Sequence, residues 1–312
     1  MNIRKDLWAF AAIVCCSITT LNAQRSVTTI EDSIEGANKY ASEIGSTWKD
    51  TRIINAQTTK VVSPGVMVFR IMHRFGDVGT TGGGFPTLYG FDEASDIYFS
   101  FEFGVTKNLE VGFGRSTRKQ LIDVFGKYKL LTQETNGMPF SLTAYEDAGI
   151  TPESSALLYA DANNPSEKFS DRFCYFSQLI IDRRFSKRLS IELFGGLSHR
   201  NYVLQEENPN NSSTDQNNIP YTGAGGRFMI TKHAAIIFDY FYTISPFRTN
   251  NNPTYSNAFS VGYEVETGGH VFEINISNAS CINENNIIPY TTDSWTNGGF
   301  KLGFSISRAF DL

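Results

Sequence analysis

Apolar and polar residues alternate along short segments of this chain, and brief polar turns separate many of the segments. In the clearest copy, one face of residues 97–105 carries only Ile, Phe and Val, a polar turn follows at 106–108, and residues 109–113 alternate again. A period of two is that of a β-strand. Because the sequence contains no second apolar layer to cover these faces, the pattern predicts a β-barrel that spans a membrane.

The alternation continues to the end of the chain and predicts twelve strands. They are residues 66–76, 95–105, 109–116, 119–130, 139–147, 172–184, 188–201, 221–231, 234–244, 256–266, 270–279 and 299–310. Short connections at 106–108, 185–187, 232–233 and 267–269 alternate with mostly long ones, which is typical of periplasmic turns and extracellular loops. The predicted fold is therefore all-β: a single transmembrane antiparallel barrel of about twelve strands, with both termini in the periplasm.

The N-terminal region precedes this pattern. Arg4 and Lys5 lie before an apolar stretch at residues 7–21, and residues 21–23 offer a small-residue cleavage site, so residues 1–23 are predicted to be a cleaved signal peptide. Residues 24–63 are polar and show no clean period. We favour a flexible periplasmic lead-in for them; the alternative is that residues 51–55 tuck into the barrel as a partial plug. Residues 64–312 form the predicted outer-membrane barrel of a Gram-negative cell.

Strand parity assigns many charged side chains to the barrel interior, because a charge facing the middle of a bilayer costs about 2–4 kcal/mol for Arg or Lys. The candidate lumen-lining residues are Arg70, Arg74, Glu102, Glu110, Asp123, Lys127, Glu192, Arg200, Arg227, Asp239, Glu264 and Glu273, together with Lys129, Asp182 and Lys301. These fifteen are seven basic and eight acidic residues, and near-balance predicts weak ion selectivity. One interpretation is an ion-pair network that fills a narrow barrel, which its modest bore favours; the other is a polar path for a small hydrophilic solute.

The histidines and cysteines are the candidate residues for a catalytic or metal-binding site. The histidines are His73, His199, His233 and His270. No two are at ligand spacing, so we expect no metal site and no cofactor. Ser198 adjoins His199, but neighbouring strand residues point to opposite faces, so the pair is not a nucleophile and its base, and we expect no enzyme. We expect the thiols of Cys174 and Cys281 to be unpaired, and a net charge of −5 without a basic stripe argues against nucleic acid as a partner.

Several short motifs together carry a resemblance to a known family. They are TRIIN at 51–55, FRIMHRFG at 69–76, GFDEAS at 90–95, VGFGRS at 111–116, KYKLL at 127–131, HRNYV at 199–203, GAGGRF at 223–228, ETGGHVF at 266–272 and GFSISRAF at 303–310. With them the chain resembles a family of Gram-negative outer-membrane β-barrel proteins that is known only as a domain of unknown function. The resemblance implies a single outer-membrane barrel and no activity. Members of that family often continue TRIIN with Gly-His, whereas Ala56 and Gln57 follow here, so a ligand role at that position does not carry over.

Two functions remain open from the sequence. The first is a porin-like passive channel or transporter for small solutes. The second is a closed structural or surface-interaction barrel with a charge-filled lumen and no transport. The expected partners are outer-membrane lipid, the barrel-assembly machinery through the C-terminal strand, and a periplasmic partner for residues 24–63.

Overall fold

The computed structural model describes residues 48–80, 82–159, 168–252 and 254–312. The predicted signal peptide and residues 24–47 lie outside the described part of the chain. The division of the sequence at residues 23 and 63 remains a prediction, although residues 48–62 are described and lie inside the barrel.

Twelve antiparallel strands close into a barrel in which each strand pairs with its neighbours in sequence and β1 pairs with β12. The strands are β1 (Val66–Asp77), β2 (Ala94–Gly104), β3 (Leu109–Ser116), β4 (Ile122–Leu131), β5 (Ser141–Ile150), β6 (Phe173–Arg184), β7 (Leu189–Arg200), β8 (Asn218–Met229), β9 (Ala234–Thr243), β10 (Phe259–Thr267), β11 (His270–Ser277) and β12 (Lys301–Asp311). The closing pair sets Val66 opposite Asp311 and Ile71 opposite Ile306. The predicted all-β transmembrane barrel fold is confirmed, and every predicted strand overlaps an observed one.

The helices are short and lie in the connections between strands. They are α1 (Ser155–Leu158), α2 (Glu284–Tyr290) and 3-10 turns at Phe85–Thr87, Arg118–Gln120, Phe169–Arg172 and Trp295–Asn297. The turn at Arg118–Gln120 makes β4 begin three residues later than predicted, because Lys119 and Gln120 have positive φ angles. Within the described ranges, no helix is both long and apolar enough to cross a membrane.

The two ends of the barrel differ. One end, called the turn end, carries the connections 105–108, 132–140, 185–188, 230–233 and 268–269, the start of β1 and the C-terminus. The other, called the loop end, carries the connections 78–93, 117–121, 151–172, 201–217, 244–258 and 278–300. This asymmetry is the one that the sequence predicted.

The outer face of the barrel is an exposed apolar belt. Val124, Leu193 and Ile274 are each more than 60% exposed, although they lie in the middle of strands. An apolar surface of this extent is stable only against another apolar phase, and a bilayer supplies one. Glu146 on β5 is a charged side chain on this face, and it accepts a hydrogen bond of 2.6 Å from the Ser177 hydroxyl of the neighbouring strand.

Not all aromatic residues face outward, although the sequence pattern placed the Phe-bearing faces of the strands against lipid. A cluster of buried aromatic side chains lies inside the barrel: Phe125, Tyr145, Phe176, Phe194, Tyr221 and Phe241. Phe176 stacks on Tyr221 with ring centroids 4.8 Å apart. The parity of their strands turns these side chains inward, where they form an apolar layer instead of a water-filled bore.

Glycines of neighbouring strands make room for some inward aromatic rings. A Cβ on Gly114 would stand 2.2 Å from the Tyr98 hydroxyl oxygen, and one on Gly223 would stand 2.2 Å from a ring carbon of Phe194. The structure shows that aromatic rings occupy the space above these two.

Candidate functional site

Residues 48–62, here called the tongue, enter the barrel and return to the same end. The indole N–H of Trp48 donates to Asp182 at 3.0 Å, and the backbone N–H of Val62 donates to Glu110 at 2.8 Å. Both acceptors lie near the turn end of their strands, and β1 begins there at Val66. The structure places these residues inside the barrel, as in the plug alternative and unlike the flexible lead-in that the sequence favoured, because their polar groups find hydrogen-bond partners on the wall.

The tip of the tongue is a tight turn held against the far wall. The N–H of Ile53 donates to the Ala56 carbonyl at 2.9 Å, and Arg52 pairs with Gln57 across the turn. The backbone N–H groups of Asn55 and Ala56 both donate to one carboxylate oxygen of Asp239, at 2.5 and 3.0 Å. The turn thus directs its free N–H groups at an acidic side chain of β9.

Halfway along the tongue, Asp50 forms an ion pair with the wall. The Arg70 guanidinium donates two hydrogen bonds to its carboxylate, at 2.7 and 2.6 Å, and the Ser307 hydroxyl donates a third at 2.6 Å. Burial opposes ionisation of Asp50, but the charge and hydrogen bonds of Arg70 outweigh it and lower the pKa of this carboxyl to about 2. Glu102 also accepts from Arg70, at 3.0 Å, so the guanidinium bridges the tongue and β2.

Lys127 on β4 holds the tongue at a further point of the wall. Its ammonium donates to the carbonyl oxygens of Thr51 at 2.9 Å and Lys60 at 3.2 Å, and it lies 3.7 Å from Glu110. Lys127 and Glu110 are both fully buried. The side chain thereby joins both arms of the tongue to the wall.

A second segment enters from the loop end. Residues 278–291, here called the inward loop, include α2. Asn283 caps the N-terminus of α2, because its side-chain oxygen accepts a hydrogen bond of 2.9 Å from the Asn285 N–H. The backbone N–H of Ile282 donates to Asp96 of β2 at 2.9 Å, and Ile287 and Ile288 pack into the aromatic cluster. This connection was expected to lie outside the barrel, but its apolar residues fill the upper lumen.

The tongue and the inward loop meet inside the barrel. Arg52 forms an ion pair with Glu284 of α2, and the Gln57 amide donates to the same carboxylate at 3.0 Å. Arg52 is 3% exposed and Glu284 is not exposed at all. Burial opposes the charge of Arg52, but the attraction of Glu284 outweighs it and raises the pKa of the guanidinium. The two segments together close the lumen in this structure, since the polar side chains around them have almost no contact with water.

Every candidate lumen residue points inward. The twelve main candidates, Arg70, Arg74, Glu102, Glu110, Asp123, Lys127, Glu192, Arg200, Arg227, Asp239, Glu264 and Glu273, are all buried, as are Asp182 and Lys301, and Lys129 is partly buried. The tongue binds seven of these fifteen side chains directly: Arg70, Arg74, Glu102, Glu110, Lys127, Asp182 and Asp239. Arg227 instead pairs with Glu264, and Arg200 pairs with Asp215. The role of this set in binding a solute remains a prediction.

The expected charge balance is wrong. Among the described residues, twelve buried acidic side chains face eight buried basic ones. The sequence reasoning missed Asp50, Arg52, Asp96, Asp147, Arg248 and Glu284. Strand parity was a signal for the inward positions of Asp96 and Asp147, whereas the other four lie outside strands and carry no periodic signal.

At the loop end, a cavity of about 180 Å³ opens beside the inward loop. The guanidinium of Arg248 lines it but is already engaged, donating to Asp215 at 2.9 Å and to the Pro289 carbonyl at 3.3 Å. Burial opposes ionisation of Asp215, but the charges of Arg200 and Arg248 outweigh it and hold the pKa of this carboxyl below its usual range. The arrangement ties the loop 201–217 to the inward loop.

The histidines and cysteines show no catalytic grouping within the described ranges. The two ring nitrogens of His199 lie 2.7 Å from the Asn218 amide oxygen and 3.0 Å from that of Asn201. Cys174 and Cys281 are unpaired, as expected. Burial raises the pKa of the Cys281 thiol to about 12. No group of three or more His, Cys, Asp and Glu side chains in the described part of the chain is arranged to hold a metal ion.

Comparison with known proteins places this barrel beside membrane barrels. The family model described as membrane bound beta barrel domain (DUF5777) matches residues 48–310. No curated protein sequence matches the chain.

Among solved structures, the NanC porin is 10% identical, with 79% of this chain and 100% of that one covered and a TM-score of 0.46. The KdgM porin in complex with disordered oligogalacturonate is 7% identical, with 78% and 99% covered and a TM-score of 0.45. An outer membrane channel from Pseudomonas putida F1 is 11% identical, with 81% and 98% covered and a TM-score of 0.46. Similarity this distant indicates neither a substrate nor an activity.

Proposed function

Since the chain belongs to this family of membrane-bound β-barrel domains, we propose that it is an outer-membrane channel for small hydrophilic solutes that its own tongue holds closed. The turn end faces the periplasm and the loop end faces outward, as the unequal lengths of the connections suggest. Outer-membrane lipid surrounds the apolar belt, and the assembly machinery recognises β12.

The observation that carries this proposal is the manner in which the tongue is held. It enters and leaves at the turn end, so it can withdraw without threading through the barrel. Its bonds to Asp239, Arg70 and Lys127 of the wall are hydrogen bonds and ion pairs, and water can replace each of these on both partners when the tongue leaves. Behind it lies a charged wall, which suits a polar solute and not an apolar one.

The second candidate is a permanently closed structural or surface-interaction barrel without transport. The observation that favours it is the apolar layer at the loop end, where Ile287 and Ile288 pack against Phe176, Tyr221 and Phe241. Apolar contacts of this kind lose free energy on exposure to water, so this layer is a firmer closure than the tongue.

A reversible cross-link between tongue and wall distinguishes the two functions. The Asn55 amide nitrogen lies 2.6 Å from the Ser260 hydroxyl oxygen, so Asn55→Cys and Ser260→Cys place two thiols within reach of each other. The pair is made in a chain whose native cysteines are replaced by Cys174→Ala and Cys281→Ala. Conductance is recorded across a planar lipid bilayer before and after reduction, with each single cysteine variant as the matched control.

We expect no conductance steps from the oxidised protein and discrete steps after reduction. The conductance of the single variants should not change on reduction. A chain lacking residues 48–62 is expected to conduct in both conditions. Equal conductance of the oxidised and reduced forms would show that the tongue does not gate the lumen. Silence of every variant, including the shortened chain, would overturn transport and leave the closed barrel.

A further inference from the structure

Three carboxylates share one row across the barrel wall beside the tongue. Asp182 of β6 stands opposite Glu192 of β7, Glu192 stands opposite Gly225 of β8, and Gly225 stands opposite Asp239 of β9. Residues in register on neighbouring strands point to the same face, so all three carboxylates face the lumen. Asp182 is 5% exposed, and Glu192 and Asp239 are not exposed.

The tongue covers the two ends of this row with neutral donors. Trp48 donates to Asp182 at 3.0 Å, and the Thr59 hydroxyl donates to its other oxygen at 2.7 Å. At the opposite end, Asp239 accepts from the backbone of Asn55. The tongue therefore satisfies hydrogen bonds at both ends of the row without bringing a positive charge to either of them.

The middle carboxylate has no such cover. Neither oxygen of Glu192 has a hydrogen-bond partner among the described residues. Above Gly225, the Ile53 Cδ1 and the Glu192 Oε1 lie 2.4 and 3.1 Å from the point where a Cβ would stand, so an apolar side chain of the tongue flanks the carboxylate. A buried carboxylate without a partner is costly, and no hydrogen bond from the described residues offsets that cost for Glu192.

The inner wall of the barrel as a whole carries an excess of negative charge, as the row does. On the strands, ten buried acidic side chains face inward against six buried basic ones. The acidic set is Asp96, Glu102, Glu110, Asp123, Asp147, Asp182, Glu192, Asp239, Glu264 and Glu273, and the basic set is Arg70, Arg74, Lys127, Arg200, Arg227 and Lys301. An excess of one sign along a pore attracts the opposite ion.

We infer that the row Asp182–Glu192–Asp239 is a binding site for a small monovalent cation, which the tongue covers in the closed barrel, and that the opened pore selects cations. The inference rests on the proposed function, since the site is reached only when the tongue withdraws. A monovalent ion is the class that fits, because the row is spread along the wall over four strands and is not gathered around one point as a divalent metal requires. Cations and the tongue then compete for the same carboxylates.

Two measurements on the full chain test the inference. The first uses a reporter chain that carries Ala56→Cys at the buried tip of the tongue, with Cys174→Ala and Cys281→Ala. The rate at which a charged, water-soluble thiol reagent modifies residue 56 is compared in potassium chloride and in the chloride of a bulky organic cation at equal ionic strength. The second measures the reversal potential of open events in a potassium chloride gradient.

We expect modification to be several-fold faster in potassium chloride, because K⁺ stabilises the wall once the tongue has left it. Glu192→Gln removes this difference and lowers the ratio of K⁺ to Cl⁻ permeability. Glu146→Gln, the same substitution on the outer face of the same wall, leaves both quantities as in the unaltered chain.

The outcomes separate this inference from the proposed function. If the modification rate depended on K⁺ and on Glu192 but the barrel never conducted, the cation site would be retained and the channel would be overturned. The cation site would be overturned and the channel retained if the pore opened without a preference for K⁺ and if neither the cation nor Glu192→Gln changed the modification rate.

Discussion

The ion pair of Asp50 should set how firmly the tongue is docked, and Asp50→Asn tests this directly. Asp50 is the acidic side chain through which the tongue binds Arg70, by two hydrogen bonds of 2.7 and 2.6 Å. Asn keeps the shape of the side chain and removes its charge. Arg70 retains Glu102 as a partner in the variant, so the substitution weakens docking without leaving an unpaired cation in the wall.

The magnitude follows from the pKa of Asp50. A pKa lowered from 3.8 to about 2 means that docking favours the ionised carboxyl over the neutral one by about 2 kcal/mol, or roughly 60-fold. Because the pKa is lowered in the docked state, the stabilisation is fully present above pH 3.8 and is lost as the pH falls through about 2. Asp50→Asn should therefore raise the undocked fraction of the tongue by roughly 60-fold at neutral pH.

The assay is the modification rate of Ala56→Cys in the reporter chain, measured between pH 2 and pH 7 with a reagent whose own reactivity is calibrated at each pH on a free thiol. The unaltered tongue should become more reactive as the pH falls below 4 and should approach the variant near pH 2. Asp92→Asn, an exposed carboxyl of the 78–93 connection, serves as the matched control. An Asp50→Asn chain that reacts no faster than this control at pH 7, or that keeps the full acid response, would refute the reasoning.

Three further predictions concern the barrel and its closure. Arg52→Met leaves the Glu284 carboxylate buried without its cation and should lower the free energy of unfolding by about 3–5 kcal/mol, which Glu284→Gln in the same chain should partly restore in thermal unfolding. Gly223→Ala forces a Cβ against an aromatic ring and should lower the free energy of unfolding by about 1–3 kcal/mol. Gly126→Ala should be nearly neutral in the same assay, because its Cβ would lie 3.7 Å from the nearest atom, the Glu110 carbonyl oxygen. Leu193→Arg on the outer face should cost about 2–4 kcal/mol, measured as folding into lipid vesicles under urea.

The strands were predictable because each obeys one local rule. Alternation with period two survives in every strand, so the positions of Arg70 and Glu192 on the inner face followed from parity alone. The closing strand was equally clear, since Phe304 and Ile306 repeat the pattern near the C-terminus. Boundaries moved by a few residues where a turn with positive φ intervenes, as at Lys119.

The interior was not predictable by the same means. Parity states which side chains point inward, but it does not state what meets them there. Residues 51–55 mix Thr, Arg, Ile and Asn without a period, so the sequence favoured a flexible segment and left a plug as the alternative. What decides between them is the match of single donors to single acceptors, such as Asn55 to Asp239, over a separation of 184 residues. No local pattern records such a match.

The absence of a local pattern also explains why the tongue and the inward loop, which are far apart in sequence, form one unit in space. Glu284 of the inward loop has its hydrogen-bond partners on the tongue, Arg52 and Gln57. If the tongue withdrew alone, this carboxylate would remain buried and unpaired, and if α2 moved alone, Arg52 would. Each movement is therefore favoured by the other, and the coupling is reciprocal. A perturbation at the loop end thus changes the docking of a segment that enters from the turn end.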